Sequence, residues 1–381
     1  MKAFCRFTLF VGIASLSVYG ESSLAQEKVS IGIGVPLTGP NASYGKDIVN
    51  GIDLAISNVN STHPTIDGKS VQFVRDAQDD QADPKTAVAI AQKFADNQTP
   101  VVIGHFNSGA TLPASKVYNS AGIPMLTPAS TNPAVTQQGY ENVFRLLAND
   151  DQDARAAADY AVRVLKVKRI AVLDDRTAFG QGEADIFAQN VEKLGGQVID
   201  RQYTNSSAVD FSAQLTHIKA SQAELIYFGG LDQQAALIAK RMKQLGMKAQ
   251  LMTGGAVADD TFLSIAGPAA EGTMAWETSA PLNDKSGPGA TYIENYKKQF
   301  NSGSITFSPY AYDAAMIVMK TMIKTGSTKG SDLVKSLKTI DYPGITGQIS
   351  FDKNGDRKKS TCTLYQVKNG KWTVLALNSG S

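Results

Sequence analysis

The stretch 101–131, VVIGHFNSGATLPASKVYNSAGIPMLTPAST, carries two sets of small polar residues, Asn107-Ser108-Gly109 and Thr127-Pro128-Ala129-Ser130-Thr131. Each set directly follows a short apolar run. The chemistry open to them is anion binding, because hydroxyls and free loop amides both donate hydrogen bonds. The runs at 101–104 and 123–126 read as buried parallel strands, and 111–120 between them has the length and composition of a crossover helix. In open α/β sheets, ligands bind beyond the carboxyl ends of strands, where loop amides and helix N-termini attract anions. Ser108 and Thr131, on neighbouring strands, would form a carboxylate cradle. Helix capping is the competing use of the same residue types.

Catalytic patterns occur only as fragments. Ser43-Tyr44-Gly45-Lys46 matches S-x-x-K and Lys324-Thr325-Gly326 matches K-T-G, but no S-D-N lies between them. A glycine closing a helix accounts for Gly326. Gly32-x-Gly34 follows a strand as a dinucleotide loop would, yet Leu37 holds the third glycine position and Pro36 interrupts the turn. There is no P-loop. His63, His105 and His217 lie far apart with no H-E-x-x-H spacing, which argues against zinc. The turn at 352–356 lacks the length and terminal Glu of a calcium loop and reads as a hairpin turn. Asp79, Asp80 and Asp83 read as a solvated loop, with Asp83-Pro84 opening a helix. The expectation is a protein that is not an enzyme, with no cofactor and no metal.

The elements that would position these residues alternate from end to end. Strand-like segments fall at 29–35, 70–75, 101–104 and 123–126, with helices at 45–60, 84–97 and 111–120. A second series starts near Asp150. It has helices at 151–165, 180–194, 210–220 and 232–245, and strands at 169–174, 197–203, 224–228 and 250–253. Strands separated by helices of this length imply right-handed βαβ units in doubly wound sheets. Two such series imply two Rossmann-like lobes. Beyond them come a polar loop at 282–290, helices at 291–300 and 310–324, and strands at 347–351 and 361–367. No solenoid repeat interrupts the pattern.

The N-terminus carries Lys2 and Arg6, an apolar run over 7–18, and then Ser23-Leu24-Ala25. That is the pattern of an export signal over residues 1–25, cleaved near Ala25, with a core too short to span a membrane. Loss of two cations and Glu21 takes the formal net charge from +2 to +1, and no basic block stands out, so nucleic acid is not an expected partner. With Cys5 removed, Cys362 is the only thiol, so stability has to come from burial. About 355 residues suffice for two cores of ordinary size.

Five ordered motifs resemble one family: VPLTGPNASYGKD (35–47), DDQADPKTAVAIAQKF (79–94), VIGHFNSGATLPAS (102–115), TPASTNP (127–133) and AFGQG (178–182). The chain is similar to the periplasmic leucine/isoleucine/valine-binding proteins of branched-chain amino acid ABC importers. The resemblance implies a type I periplasmic-binding fold, with two α/β lobes joined by three crossovers and the ligand cleft between them. It implies crossovers near 149–150, 278–280 and 362–364, which give lobe 1 residues 26–149 plus 279–362 and lobe 2 residues 150–278 plus 363–381. Ser108 and Thr131 would take the ligand carboxylate, and the Ala129 carbonyl part of the ammonium. Tyr44 would close one wall with Phe106 and Asn107 beside it. Phe179 and Leu231 would serve the second lobe, at positions where relatives often carry tyrosine. The implied partners are a small-molecule ligand and a membrane permease, for an exported, periplasmic and monomeric receptor.

One position departs from the pattern. The second-lobe acid that pairs with the ammonium should follow the strand at 250–253, where Gly254-Gly255-Ala256 stands instead. Either Asp150, Asp259 or Asp260 reaches in, or the ligand lacks the ammonium. Tyr310 and Tyr312, on a helix read as facing the cleft, could add hydroxyls or an aromatic face, and core packing is their other use. Three readings stay open: a receptor for aliphatic amino acids, a receptor for an aromatic or other organic acid, and a ligand-presenting sensory module.

Overall fold

The computed structural model describes Met1 and residues 26–282, 286–303 and 306–379, so the expected export signal lies outside the described residues. β1 (Glu27–Val35) is buried from Ile31 onward, as a central parallel strand covered on both faces must be. It leads into α1 (Ala42–Asn60), the hairpin β2 (Thr65–Ile66) and β3 (Lys69–Asp79), then α2 (Pro84–Asp96). β4 (Val102–Gly104), α3 (Ser108–Ala121), β5 (Met125–Thr127), α4 (Ala134–Gln137) and β6 (Val143–Arg145) complete a sheet of order β2-β3-β1-β4-β5-β6. All its pairings are parallel except β2–β3.

The chain then builds a second sheet. Its elements are α5 (Asp150–Asp159), β7 (Arg169–Asp174), α6 (Ala178–Lys193), β8 (Gln197–Tyr203), α7 (Ser212–Ser221) and β9 (Leu225–Gly229). α8 (Asp232–Gln244), β10 (Gln250–Thr253), α9 (Asp260–Ala266) and β11 (Met274–Glu277) follow. After β11 the chain returns to the first lobe with α10 (Gly287–Phe300) and α11 (Ser308–Thr325), which pack on α1. α12 (Gly330–Leu337) and the ribbon β12 (Tyr342–Gly344) and β13 (Gly347–Ile349) come next. A third passage delivers β14 (Thr361–Lys368) and β15 (Lys371–Ser379), giving the order β15-β14-β11-β10-β9-β7-β8. β14 and β15 run antiparallel on this otherwise parallel sheet.

Strand alternation divides the core. Ile31, Ile33 and Val35 of β1 pack with α1 and α11, while Val102 of β4 and Met125 of β5 pack with α2 and α3 on the opposite face. In the second sheet Ile170 and Val172 meet α5 and α6, and Ala171 and Leu173 meet α7 and α8. Helix ends follow local chemistry. Asp83 accepts from the Thr86 amide to cap α2, and Gly326 closes α11 at φ 65°, the helix-ending role expected of it.

The strands expected at 169–174, 197–203 and 250–253 stand at those bounds. Others differ for identifiable reasons. β6 and β11 were not expected, because Arg145 and Glu277 interrupt their apolar runs. α10 begins at Gly287, inside the expected polar loop, with Pro288 accommodated in its first turn. The strand expected over 347–351 ends at Ile349, and Phe351 makes an isolated bridge to Arg357 across the turn. α3 starts three residues early, which places Ser108 in its first turn.

Candidate functional site

A cavity of about 340 Å³ lies where the loops of the two sheets meet. Phe106, Asn107 and Ser108 reach it from the β4–α3 loop, and Ala129 and Thr131 from the loop after β5. Phe179, in the first turn of α6, Leu231, before α8, and Gly255 and Ala256, after β10, close it from the second lobe. Every one of these segments follows the carboxyl end of a parallel strand, so the topology brings them to one crevice. Thr278, just after β11, and Phe307, just before α11, complete the lining.

The hydroxyl side is built rigidly. Ser108 is buried, and its Oγ accepts from the Asn132 amide at a long 3.3 Å. Asn107 is the N-cap of α3 but makes no side-chain cap, so neither residue performs the capping that competed with ligand contact. The Ser130 hydroxyl bonds the His105 and Phe106 carbonyls at 3.0 Å each, and Thr127 Oγ1 donates to the His105 carbonyl at 3.0 Å. Thr111 and Ser130 hydroxyls also meet. Arg145 braces the same loop. Its guanidinium, 0% exposed, donates to the Ser130 carbonyl at 3.0 Å and the Asn132 carbonyl at 2.8 Å, on either side of Thr131. Its Nε pairs with Asp356 at 2.7 Å.

Tyr44 does not line the cavity; it backs the wall. Its ring stacks on Phe106 at 4.8 Å and 12°, with Phe307 edge-on to Phe106 at 5.2 Å. Its hydroxyl crosses to the other lobe and donates to the Ala256 carbonyl at 3.0 Å. Asn132 Nδ2 donates to the Ala178 carbonyl at 2.6 Å, and Gln233 to that of Pro40 at 2.9 Å, so the lobes are closed on each other.

The loop that lacks an acid is held by acids from elsewhere. Glu277 Oε1 accepts from the Val257 and Ala258 amides and Oε2 from Ala256, at 2.8–3.1 Å, and Glu183 Oε1 accepts from Gly255 at 3.2 Å. Asp150 stands behind Thr131, its amide donating to the Thr131 carbonyl at 3.0 Å. Neither Asp150 carboxylate oxygen makes a well-formed hydrogen bond among the described residues, the Thr131 hydroxyl being its nearest donor. Burial pushes that carboxyl up to about 7, although the Thr131 hydroxyl and the Arg145 charge pull the other way.

Other expected residues are placed elsewhere. Tyr310 is buried against the second crossover, where its hydroxyl accepts from the Ala280 amide at 3.3 Å, outside the cavity lining. Tyr312 bonds Asn58 at 3.0 Å and stacks edge-on against Tyr292, the core use of that helix. Asp259 caps α9 through the Phe262 amide, lies 3.3 Å from the Tyr44 hydroxyl, and is pushed up to about 8 by burial and then by Asp232. Asp260 is exposed in the first turn of α9. Asp80 is not solvated: it is fully buried, 2.7 Å from His105 Nδ1. Among the described residues no group of three His, Cys, Asp or Glu side chains could hold a metal ion.

Sequence reasoning missed Thr278, Phe307 and Ala256 in the lining and Arg145, Asp153, Glu183 and Glu277 behind it. The signal was available for three of the four charged ones. Arg145 and Glu277 end apolar runs and Glu183 stands at helical spacing from Phe187 and Val191, whereas Asp153 lies in a polar run that gives no such sign.

Residues 28–371 match the family model described as periplasmic binding protein. The Leu/Ile/Val-binding protein homolog 1 of Brucella suis biovar 1 (strain 1330) is 35% identical over 367 residues, covering 96% of this chain and 97% of the relative. The leucine-binding protein of Thermotoga maritima MSB8 superposes with a TM-score of 0.82 at 28% identity, covering 92% of this chain and 98% of that one. A solute-binding protein from R. palustris, crystallised with benzoate, shares the fold with a TM-score of 0.79 at 21% identity, over 92% and 96% of the two chains. With these matches running through both sheets and all three crossovers, the chain belongs to the periplasmic binding protein family and has its type I fold.

Proposed function

We propose that this protein is the solute receptor of an ABC importer, binding a small α-amino acid with an aliphatic side chain between its lobes and delivering it to a membrane permease. The observation that carries this is one cavity with three distinct walls. Ser108 and Thr131 present hydroxyls and amides to a carboxylate, with charge-assisted bonds near a helix N-terminus. Phe106, Phe179, Leu231 and Phe307 present apolar surface to a side chain. The Ala129 stretch of the loop is the wall left for the ammonium, with the buried Asp150 carboxyl behind Thr131 and outside the lining. The cavity is small and its lining mostly apolar, in keeping with a ligand the size of a single amino acid.

Contacts split between lobes make closure part of binding, with Tyr44, Asn132 and Gln233 bridging once the ligand is in. The receptor works as an exported monomer from which residues 1–25 have been removed. A second reading has one observation in its favour. Gly255 brings no charge to the cavity, so an aromatic or other organic acid without an ammonium would leave nothing unpaired there.

Thermal denaturation of the mature protein against a ligand panel tests the proposal, since a ligand at 100 times its Kd adds about 2.7 kcal/mol. Leucine, isoleucine, valine or alanine should raise the Tm. A rise with benzoate and none with any amino acid would replace the first reading by the second.

A further inference from the structure

Three acids stand together behind the cavity wall. Asp150 and Asp153 lie at the start of α5 and Glu183 in α6, and each is 0% exposed. Neither oxygen of either aspartate, nor Glu183 Oε2, makes a well-formed hydrogen bond among the described residues; their nearest polar neighbours are the Thr131 hydroxyl, the Cys362 thiol and one another. The Tyr227 hydroxyl, on β9 and equally buried, also lacks one, and it stands against Glu183. Asp150 faces Arg145 and Asp151; Asp153 faces Glu183, Asp150, Glu277 and the Cys362 thiol. Glu183 faces both aspartates and the Gly255 amide. The Arg145 guanidinium is engaged with Asp356, Thr136 and the loop carbonyls.

Carboxylates in a dry site without a free cation do not all ionise; they keep protons. Burial accordingly pushes Asp150 up to about 7 and Asp153 to about 8, and raises Glu183 well above the usual carboxylate range. The set lies just behind the lining and adjoins it at two points: the Asp150 backbone amide holds the Thr131 carbonyl, and Glu183 Oε1 accepts from the Gly255 amide. A Cβ at Gly254 would fall 1.7 Å from Glu183 Oε1, so this acid fills the space that a side chain on the β10–α9 loop would use.

We infer that Asp150, Asp153 and Glu183 form one proton-sharing set that determines specificity for the cationic end of the ligand. Glu183 is its positioning residue. An ammonium entering beside Thr131 supplies the missing cation, one carboxyl of the set ionises, and its proton passes to solvent while the ammonium keeps all of its own. A carboxylate ligand without an ammonium displaces none. The inference rests on the amino-acid reading proposed above.

Titration calorimetry at pH 7 in phosphate and in Tris counts the protons, using L-leucine and its deaminated analogue 4-methylpentanoate. Leucine should release roughly half to one proton per site, and 4-methylpentanoate none. Glu183→Gln should cut the release at least twofold and weaken leucine about tenfold, leaving 4-methylpentanoate within about twofold. Should that variant fail to fold, Asp153→Asn makes the same measurement from the neighbouring helix. A leucine enthalpy independent of buffer, equal release with both ligands, or unchanged release in the variant overturns the inference and leaves the amino-acid reading standing. Failure of leucine and other aliphatic amino acids to bind overturns both.

Discussion

Replacing Ser108 by alanine, and Thr131 by valine, removes one hydroxyl each from the wall assigned to the ligand carboxylate. A hydrogen bond to a charged group contributes about 1.5–3 kcal/mol, and each 1.4 kcal/mol is a factor of ten, so each change should raise Kd roughly tenfold to a hundredfold. The fold should hardly notice. Ser108 Oγ accepts a single long bond, 3.3 Å from the Asn132 amide, and Thr131→Val keeps the side-chain shape, losing only the hydroxyl that faces the protonatable Asp150 carboxyl. The two residues address one ligand group, so the double variant should lose less than the sum of the singles. Calorimetry with L-leucine gives the Kd values, and scanning calorimetry of the empty proteins gives the Tm control. Wild-type Kd in both singles, with unchanged Tm, would refute the assignment of this wall. A Tm drop large enough to account for the lost affinity would refute the claim that these hydroxyls serve the ligand and not the fold.

Gly255→Leu should abolish binding while preserving the Tm, because a Cβ there meets Thr278 at an ordinary 3.7 Å and the rest of the side chain grows into the cavity; residual binding within tenfold of wild type contradicts this. Tyr44→Phe removes the bridge to the Ala256 carbonyl but keeps the stack on Phe106, so affinity should fall about threefold to tenfold, measured by calorimetry, with the ligand preference unchanged. Stability should fall as pH rises. Asp150 and Asp153 are pushed up to about 7 and 8 in the folded protein, so between about pH 4 and pH 8 the folded state binds more protons than the unfolded one. That contribution is whole below the ordinary carboxylate pKa and is lost as pH climbs through the raised ones. The Tm of the empty protein should therefore be several degrees lower at pH 8.5 than at pH 5.5, and Asp153→Asn should flatten the slope.

The fold was legible wherever local pattern and environment agree. β7, β8 and β10 were readable to the residue because each is bounded by polar or turn residues and covered by amphipathic helices. β6 and β11 were not, since Arg145 and Glu277 are charged groups at the ends of buried strands, paired through tertiary contacts: loop carbonyls and Asp356 for one, the amides of 256–258 for the other. The site divides the same way. Ser108, Ala129 and Thr131 follow from the rule that ligands sit at carboxyl ends of parallel strands, which needs only strand positions. Phe307 and Thr278 enter through tertiary placement after long connections, which no local pattern encodes. Spacing left Tyr310 and Tyr312 open between cleft and core because their helix is buried on several sides, and it does not say which face meets the cleft. Glu183 was the most instructive omission. The gap at Gly255 was visible in the sequence, but the acid lying beside it comes from a helix more than seventy residues away in the chain.

The most direct test of the account is the structure of the mature protein crystallised with L-leucine. The account predicts one leucine between the lobes, its carboxylate within hydrogen-bond reach of Ser108 and Thr131, its ammonium toward Ala129 and Asp150, and its side chain among Phe106, Phe179 and Leu231. A ligand bound outside this cavity, or one whose carboxylate lies at Gly255 and whose ammonium faces Ser108, would contradict it.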